Sequence, residues 1–140
     1  MSDEPERSEF HVPRLGPLEI AVLDRLWDEG ELDVQSAHRL VGASRGLARS
    51  TLHSTLERLV RKGLASRHKR GRAYAYRPVV TRREWITRAL RHVLESIPGS
   101  RGAPALLSFV ELADRAGEDS LEALEALVRQ RRRERAEAEE

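Results

Sequence analysis

LARSTLHSTLERLVRK, running from Leu47 to Lys62, carries two distinct faces at helical spacing. Leu52, Leu56, Leu59 and Val60 fall on one apolar stripe. At about 100° per residue the opposite side holds Ser50, Ser54, Glu57, Arg58 and Arg61, with Thr51 and His53 on its flanks. That outer face is short, hydroxyl-rich and basic, the kind of surface that can approach base edges and phosphates. Taken alone, the pattern also fits an ordinary amphipathic surface helix. Its surroundings favour the first reading. Gly63 can end the helix. Leu64 to His68 then reads as a strand, Lys69-Arg70-Gly71-Arg72 as a tight basic turn, and Ala73 to Arg77 as a returning strand closed by Pro78. A helix followed by a basic hairpin is the arrangement of a recognition helix and wing. Lys69, Arg70 and Arg72 would then face a phosphate backbone or the minor groove. Of Tyr74 and Tyr76, which share one strand face, at least one is expected to pack inward.

Working toward the N-terminus, Ala43 to Gly46 (ASRG) is a loop joining this helix to a shorter one, Val34 to Val41, capped by Asp33 and stopped by Gly42. Its expected buried positions are Val34, Ala37 and Leu40 or Val41. Glu31 to Val34 fits a short strand or an extended connection. A first helix begins near Pro17 and stops at Gly30. It carries one apolar stripe of Leu18, Val22 and Leu26 and another of Ile20, Leu23 and Trp27, so it should be wedged between neighbours, with Trp27 in the core. Residues 1–13 are polar and contain Pro5 and Pro13, which suggests an unstructured tail.

On the C-terminal side, Thr81-Arg82-Arg83-Glu84 is a capping box that opens a helix with Trp85, Ile86, Ala89, Leu90, Val93, Leu94 and Ile97 along one side. Pro98 to Pro104 (PGSRGAP) breaks it. Ala105 to Ala116 forms a compact apolar helix, and Asp119-Ser120-Leu121-Glu122 a second capping box for a helix carrying Leu121, Leu124, Leu127 and Val128. The last stretch, RQRRRERAEAEE, has no apolar face and is expected to fray from residue 131 onward. These helices have more apolar surface than they can bury alone, a dimerisation signature whose expected residues are Trp85, Leu90, Val93, Leu94, Leu106, Phe109, Val110, Leu121, Leu124 and Val128.

Composition narrows the function. The net charge of +2 conceals a segregated pattern: residues 1–43 sum to −6, residues 44–91 to +12 and residues 92–140 to −4. The basic block contains the helix and the wing, the footprint expected for a polyanion partner. There is no cysteine, which excludes disulfides, thiolate metal sites and a cysteine nucleophile. His11, His38, His53, His68 and His92 form no metal-ligand pair, and no phosphate loop or nucleophile motif appears. No catalysis, cofactor or metal is expected. The N-terminus is not a signal peptide and no run spans a membrane, so the expected location is the cytoplasm. The expected fold is mainly α with a small β-hairpin wing: a winged helix-turn-helix domain over 14–80, followed by a helical dimerisation region over 81–130. The competing function is a winged-helix module that binds protein and not DNA.

Three stretches together resemble the BlaI/MecI penicillinase-repressor family of bacterial winged-helix regulators. They are LGPLEIAVLDRLWDEGELDVQSAH (Leu15 to His38), LARSTLHSTLERLVRKGLASRHKRGRAYAYRP (Leu47 to Pro78) and ALLSFVELA (Ala105 to Ala113). The resemblance covers roughly residues 15–130. It implies a homodimeric repressor on a palindromic operator, reading the major groove of double-stranded DNA and exchanging contacts between subunits through the C-terminal helices. No small-molecule substrate is implied. In antibiotic-responsive members a membrane-bound metalloprotease sensor triggers cleavage in that region. The matching bond here is Ser108–Phe109, with Ser108 where staphylococcal members have asparagine. The cysteine-rich tail of the copper-responsive branch is absent.

Overall fold

The computed structural model describes residues 13–140, so the expected tail over 1–13 lies, but for Pro13, outside the described residues. The chain divides into two units, residues 1–92 and 93–140. In the first, helix α1 runs Pro17–Glu29, opened by a proline in its first turn and closed by Gly30 at φ 78°. Strand β1 (Leu32–Asp33) leads into α2 (Val34–Ala37), where the Asp33 carboxylate accepts from the Ser36 amide at 2.7 Å. Helix α3 spans Arg49–Arg61, and strands β2 (Ala65–Arg70) and β3 (Ala73–Pro78) form the wing. All pairings are antiparallel in the order β1-β3-β2, with Leu32 opposite Tyr76 and Arg67 also opposite Tyr76.

The apolar stripe of α3 does what its spacing predicts. Leu52, Leu56 and Leu59 are fully buried among Val22, Leu23 and Leu26 of α1, Val41 and Tyr76. The winged-helix core thus closes over α3's inner face and leaves its outer face to solvent. Trp27 lies at the edge of this core, and its indole N–H donates to the Val80 carbonyl at 2.8 Å. The second stripe of α1 is only partly used: Ile20 is 52% exposed, because the sheet and α3 cover only one side of that turn.

Beyond Ala37 the expected end of the second helix at Gly42 is corrected. The helix widens into a π turn over His38–Gly42 and tightens into a 3₁₀ turn over Ala43–Arg45, ending at Gly46 with φ 65°. The ASRG segment is therefore helical, not an open loop. Gly42 serves for close approach. A Cβ there would sit 2.5 Å from Leu52 Cδ2 and 3.0 Å from His38 Cδ2. His38 is fixed in turn, its Nε2 donating to the Leu47 carbonyl at 2.9 Å. Gly42→Ala is therefore expected to destabilise the fold by about 1–3 kcal/mol through overpacking, measurable by urea denaturation. A change near zero would mean that α3 yields easily at Leu52.

The wing differs from expectation in its turn. Lys69 and Arg70 belong to β2, paired with Tyr74 and Ala73, so the loop is only Gly71-Arg72, with the glycine at φ 65°. Helix α4 (Arg82–Ser96) starts with the expected capping box: Thr81 Oγ1 accepts from the Glu84 amide, and the Glu84 carboxylate accepts from the Thr81 amide, both at 3.0 Å. Arg82 bonds Asp24 at 2.9 Å and Asp28 at 2.8 Å on α1.

In the second unit, α5 (Ala103–Ala116) packs against α6 (Glu118–Ala138). Pro104 falls inside the first turn of α5 and not in the preceding break, since a first-turn proline has no amide bond to lose. The second capping box does not form. Gly117, at φ 114°, is the N-cap, and Asp119 lies within the first turn, where its charge favours the amide end of the helix. Nor does the charged end fray: α6 continues through Ala138. Arg129–Glu125 and Gln130–Glu134 bonds one turn apart supply side-chain support along a run of strong helix formers. Among the described residues no helix is long and apolar enough to cross a membrane.

Candidate nucleic-acid interface

Helix α3 turns an exposed face outward through Arg49, Ser50, His53, Ser54, Arg58 and Arg61, while Thr51 is half-buried. No side chain caps its N-terminus. Sequence reasoning missed Thr55, which is fully buried on this helix. Its hydroxyl donates to the Thr51 carbonyl at 2.8 Å and accepts from Arg58 at 3.4 Å, which holds the Arg58 side chain against the helix.

Glu57 ties the helix to the wing. Its Oε1 accepts from the Tyr76 hydroxyl at 2.6 Å and from Arg67 Nη1 at 2.7 Å, and His53 Nε2 lies 3.8 Å away. Arg67 in turn stacks over Tyr74, 4.8 Å from the ring centroid. Tyr76 is thus the inward tyrosine, and Tyr74 stays exposed. The wing tip extends three residues past Arg67, about 10 Å along the strand, so Glu57 anchors the outer face of α3 to the middle of the wing and leaves the tip projecting beyond it.

The Tyr76 hydrogen bond holds the Glu57 carboxyl below its ordinary value, opposed by burial and reinforced by Arg67. Burial, and then the bond to Glu57, push the Tyr76 hydroxyl up to about 12. A carboxyl depressed in the folded state contributes stability above its unfolded value, near 4.5. That stability is lost as pH falls through the folded value. Between pH 6 and pH 3 (about the range of carboxylate titration) the wild-type melting temperature should therefore fall further than that of Glu57→Gln. Parallel declines would show that this carboxylate is not coupled to folding.

The expected wing cations divide. Arg72 lies in the turn and Lys69 on the Tyr74 face, and neither meets an acid among the described residues. Arg70, expected at the free tip, instead donates to Glu31 at 2.8 Å. That carboxylate also faces His68 at 2.6 Å and Arg77 at 3.4 Å.

The residues expected to dimerise also separate. Trp85 packs against the core of its own domain. Leu90 and Val93 are exposed on α4 and Leu94 is half-buried. Phe109, Leu121 and Leu124 are half-buried in the α5–α6 unit, whereas Leu106, Val110 and Val128 are exposed, as are Leu107, Leu112 and Leu127.

Comparison with known proteins matches the penicillinase repressor family model to residues 15–130. The transcriptional regulator BlaI of Mycobacterium tuberculosis is 39% identical over 116 residues, covering 81% of each chain. The penicillinase repressor of Bacillus licheniformis is 21% identical over 122 residues, covering 87% of this chain and 95% of its own. The solution structure of the DNA-binding domain of the repressor BlaI superimposes with a TM-score of 0.47 at 22% identity, over 52% of this chain and 89% of that one. With the family model spanning wing, helices and C-terminal region alike, the chain belongs to the penicillinase repressor family.

Proposed function

We propose that this chain is a transcriptional repressor that occupies a palindromic operator in double-stranded DNA as a homodimer. The observation that supports it most is the uncapped, hydroxyl-rich and basic face of α3, joined through Glu57 to a wing whose tip cations Lys69 and Arg72 meet no acid among the described residues. In this reading α3 enters the major groove. Arg49, Ser50, Thr51 and Ser54, in its N-terminal half, reach base edges or nearby phosphates. Arg58 and Arg61 meet phosphates, and His53 does either. Lys69 and Arg72 meet the flanking backbone. The apolar side chains left exposed on α5 and α6 join two copies, and a two-fold dimer places its recognition helices on half-sites about 34 Å or a multiple apart. Repression is steric: the dimer occupies the promoter in the cytoplasm and excludes polymerase.

Release by a membrane-bound metalloprotease sensor cutting Ser108–Phe109 fits this scheme. The bond lies inside α5, where the Ser108 hydroxyl donates to the Pro104 carbonyl at 2.9 Å, so the helix must open locally before it is cut.

Fluorescence anisotropy on the chain's own upstream intergenic DNA against a scrambled duplex, over a salt series, tests the reading. Tighter, more salt-resistant binding to the native fragment at two chains per site is expected. Absence of binding to either duplex at low salt would turn the assignment toward a protein-binding module. Within that assay, Ser50→Ala should cost about 1–3 kcal/mol and relax specificity at one position. Arg72→Ala should weaken all duplexes alike and lower the salt slope by about 1.8 for the dimer, about 0.9 from each subunit.

A further inference from the structure

Glu31 stands one residue before β1, where the Leu32–Tyr76 pairing fixes its backbone. Its side chain is only 22% exposed: Oε2 accepts from Arg70 at 2.8 Å, while the buried Oε1 lies 2.6 Å from the His68 imidazole and 3.4 Å from the Arg77 guanidinium without a formed hydrogen bond. Strand alternation places His68, Arg70 and Arg77 on the sheet face opposite Tyr76. The small Ala75, register partner of both His68 and Asp33, lets the carboxylate lie across β3 toward β2. Arg70, next to the turn, stays 73% exposed on its outer side. A carboxylate gripped by guanidinium and imidazole groups is chemically a site for an anionic oxygen group already filled from within.

We propose that Glu31 is a specificity-determining residue, an internal stand-in for a DNA phosphate that keeps Arg70 and His68 out of sequence-independent backbone binding; this rests on the DNA-binding reading above. A phosphate approaching Arg70 meets a fixed negative charge, and a cation already paired releases little counterion on binding. In a specific complex α3 sets the register, so the tip residues Lys69 and Arg72 supply the wing contacts. A complex on arbitrary sequence has no such register and draws on every net positive charge. Glu31 therefore weakens the second kind of binding more than the first and widens the ratio between them.

The test measures binding of full-length wild type, Glu31→Gln, Arg70→Ala and Glu31→Gln/Arg70→Ala to scrambled and native upstream duplexes over a salt series. Glu31→Gln is expected to bind scrambled duplex more tightly with a salt slope steeper by about 1.8 for the dimer, about 0.9 from each subunit, so that it loses about twelvefold more affinity between 50 and 200 mM salt. The native fragment should change less, and the double variant should return to the wild-type slope. An unchanged or shallower slope in a Glu31→Gln protein that melts cooperatively would overturn the proposal. Should that variant not fold, Arg70→Ala decides alone: it must leave the scrambled-duplex slope near wild type while Arg72→Ala lowers it, and equal losses overturn the proposal. A wild type that binds neither duplex removes the DNA-binding reading itself, and this inference with it.

Discussion

Leu56→Ala is expected to lower the free energy of unfolding by about 2–5 kcal/mol. Leu56 is fully buried in the middle of α3, with Leu52 and Leu59 buried one turn to either side. The helix packs at once against α1, α2 and β2, so no single neighbour can relax to fill the space left by three lost carbons. A domain of this size has only about 5–15 kcal/mol of net stability to lose, and the substitution removes a large share of it. Ser54→Ala, on the exposed face of the same helix, is the matched control and should stay within about 0.5 kcal/mol of wild type. Urea denaturation of both variants distinguishes packing loss from a general effect on helix propensity. A Leu56→Ala cost as small as the control's would mean that the helix is not seated as described.

The second large effect concerns assembly. In the proposed dimer, Val110→Glu combined with Leu127→Glu puts two charges where apolar surface should be covered. Val110 is 50% and Leu127 62% exposed within the chain, so the exchange costs little in the isolated subunit. At an interface each carboxylate would be desolvated without a partner. Sedimentation should show monomer, and affinity for a full two-fold site should drop by about 10²- to 10⁴-fold as the second recognition helix ceases to be tethered. Affinity for a half-site should hold. A double variant that still sedimented as a dimer would move the interface away from these helices.

Local signals in the chain were good guides where a boundary is set by its own few residues. Pro17, Gly30, Asp33 and the Thr81–Glu84 box act over one turn, and each lies where its chemistry implies. The outer face of α3 was legible for the same reason, since Leu52, Leu56 and Leu59 determine which side turns inward. What the sequence concealed depends on distant partners. Glu31 reads as a connecting residue until the sheet brings His68 and Arg70 to it, so Arg70 looked like a free tip cation. Glu57 reads as one acid in a basic stretch until β3 delivers the Tyr76 hydroxyl. Thr55 lies on the apolar side of α3, and its hydroxyl is hidden by bonding back to the preceding turn. The charged end of α6 misled in the opposite direction. A run without an apolar stripe looks unsupported, but a helix already nucleated in a packed pair extends at little cost per residue.

The π turn over His38–Gly42 closes its ring with Ala43 donating to the His38 carbonyl, five residues back. It accommodates one residue more than an ordinary α-helical path between the same two points. One residue could therefore be lost from this turn without displacing the helices on either side of it. A homologue one residue shorter could close it with regular i→i+4 bonds and keep its remaining helices in place. An alignment that put the resulting gap elsewhere in α2 would rotate every intervening position by about 100°, and would read core residues as surface ones.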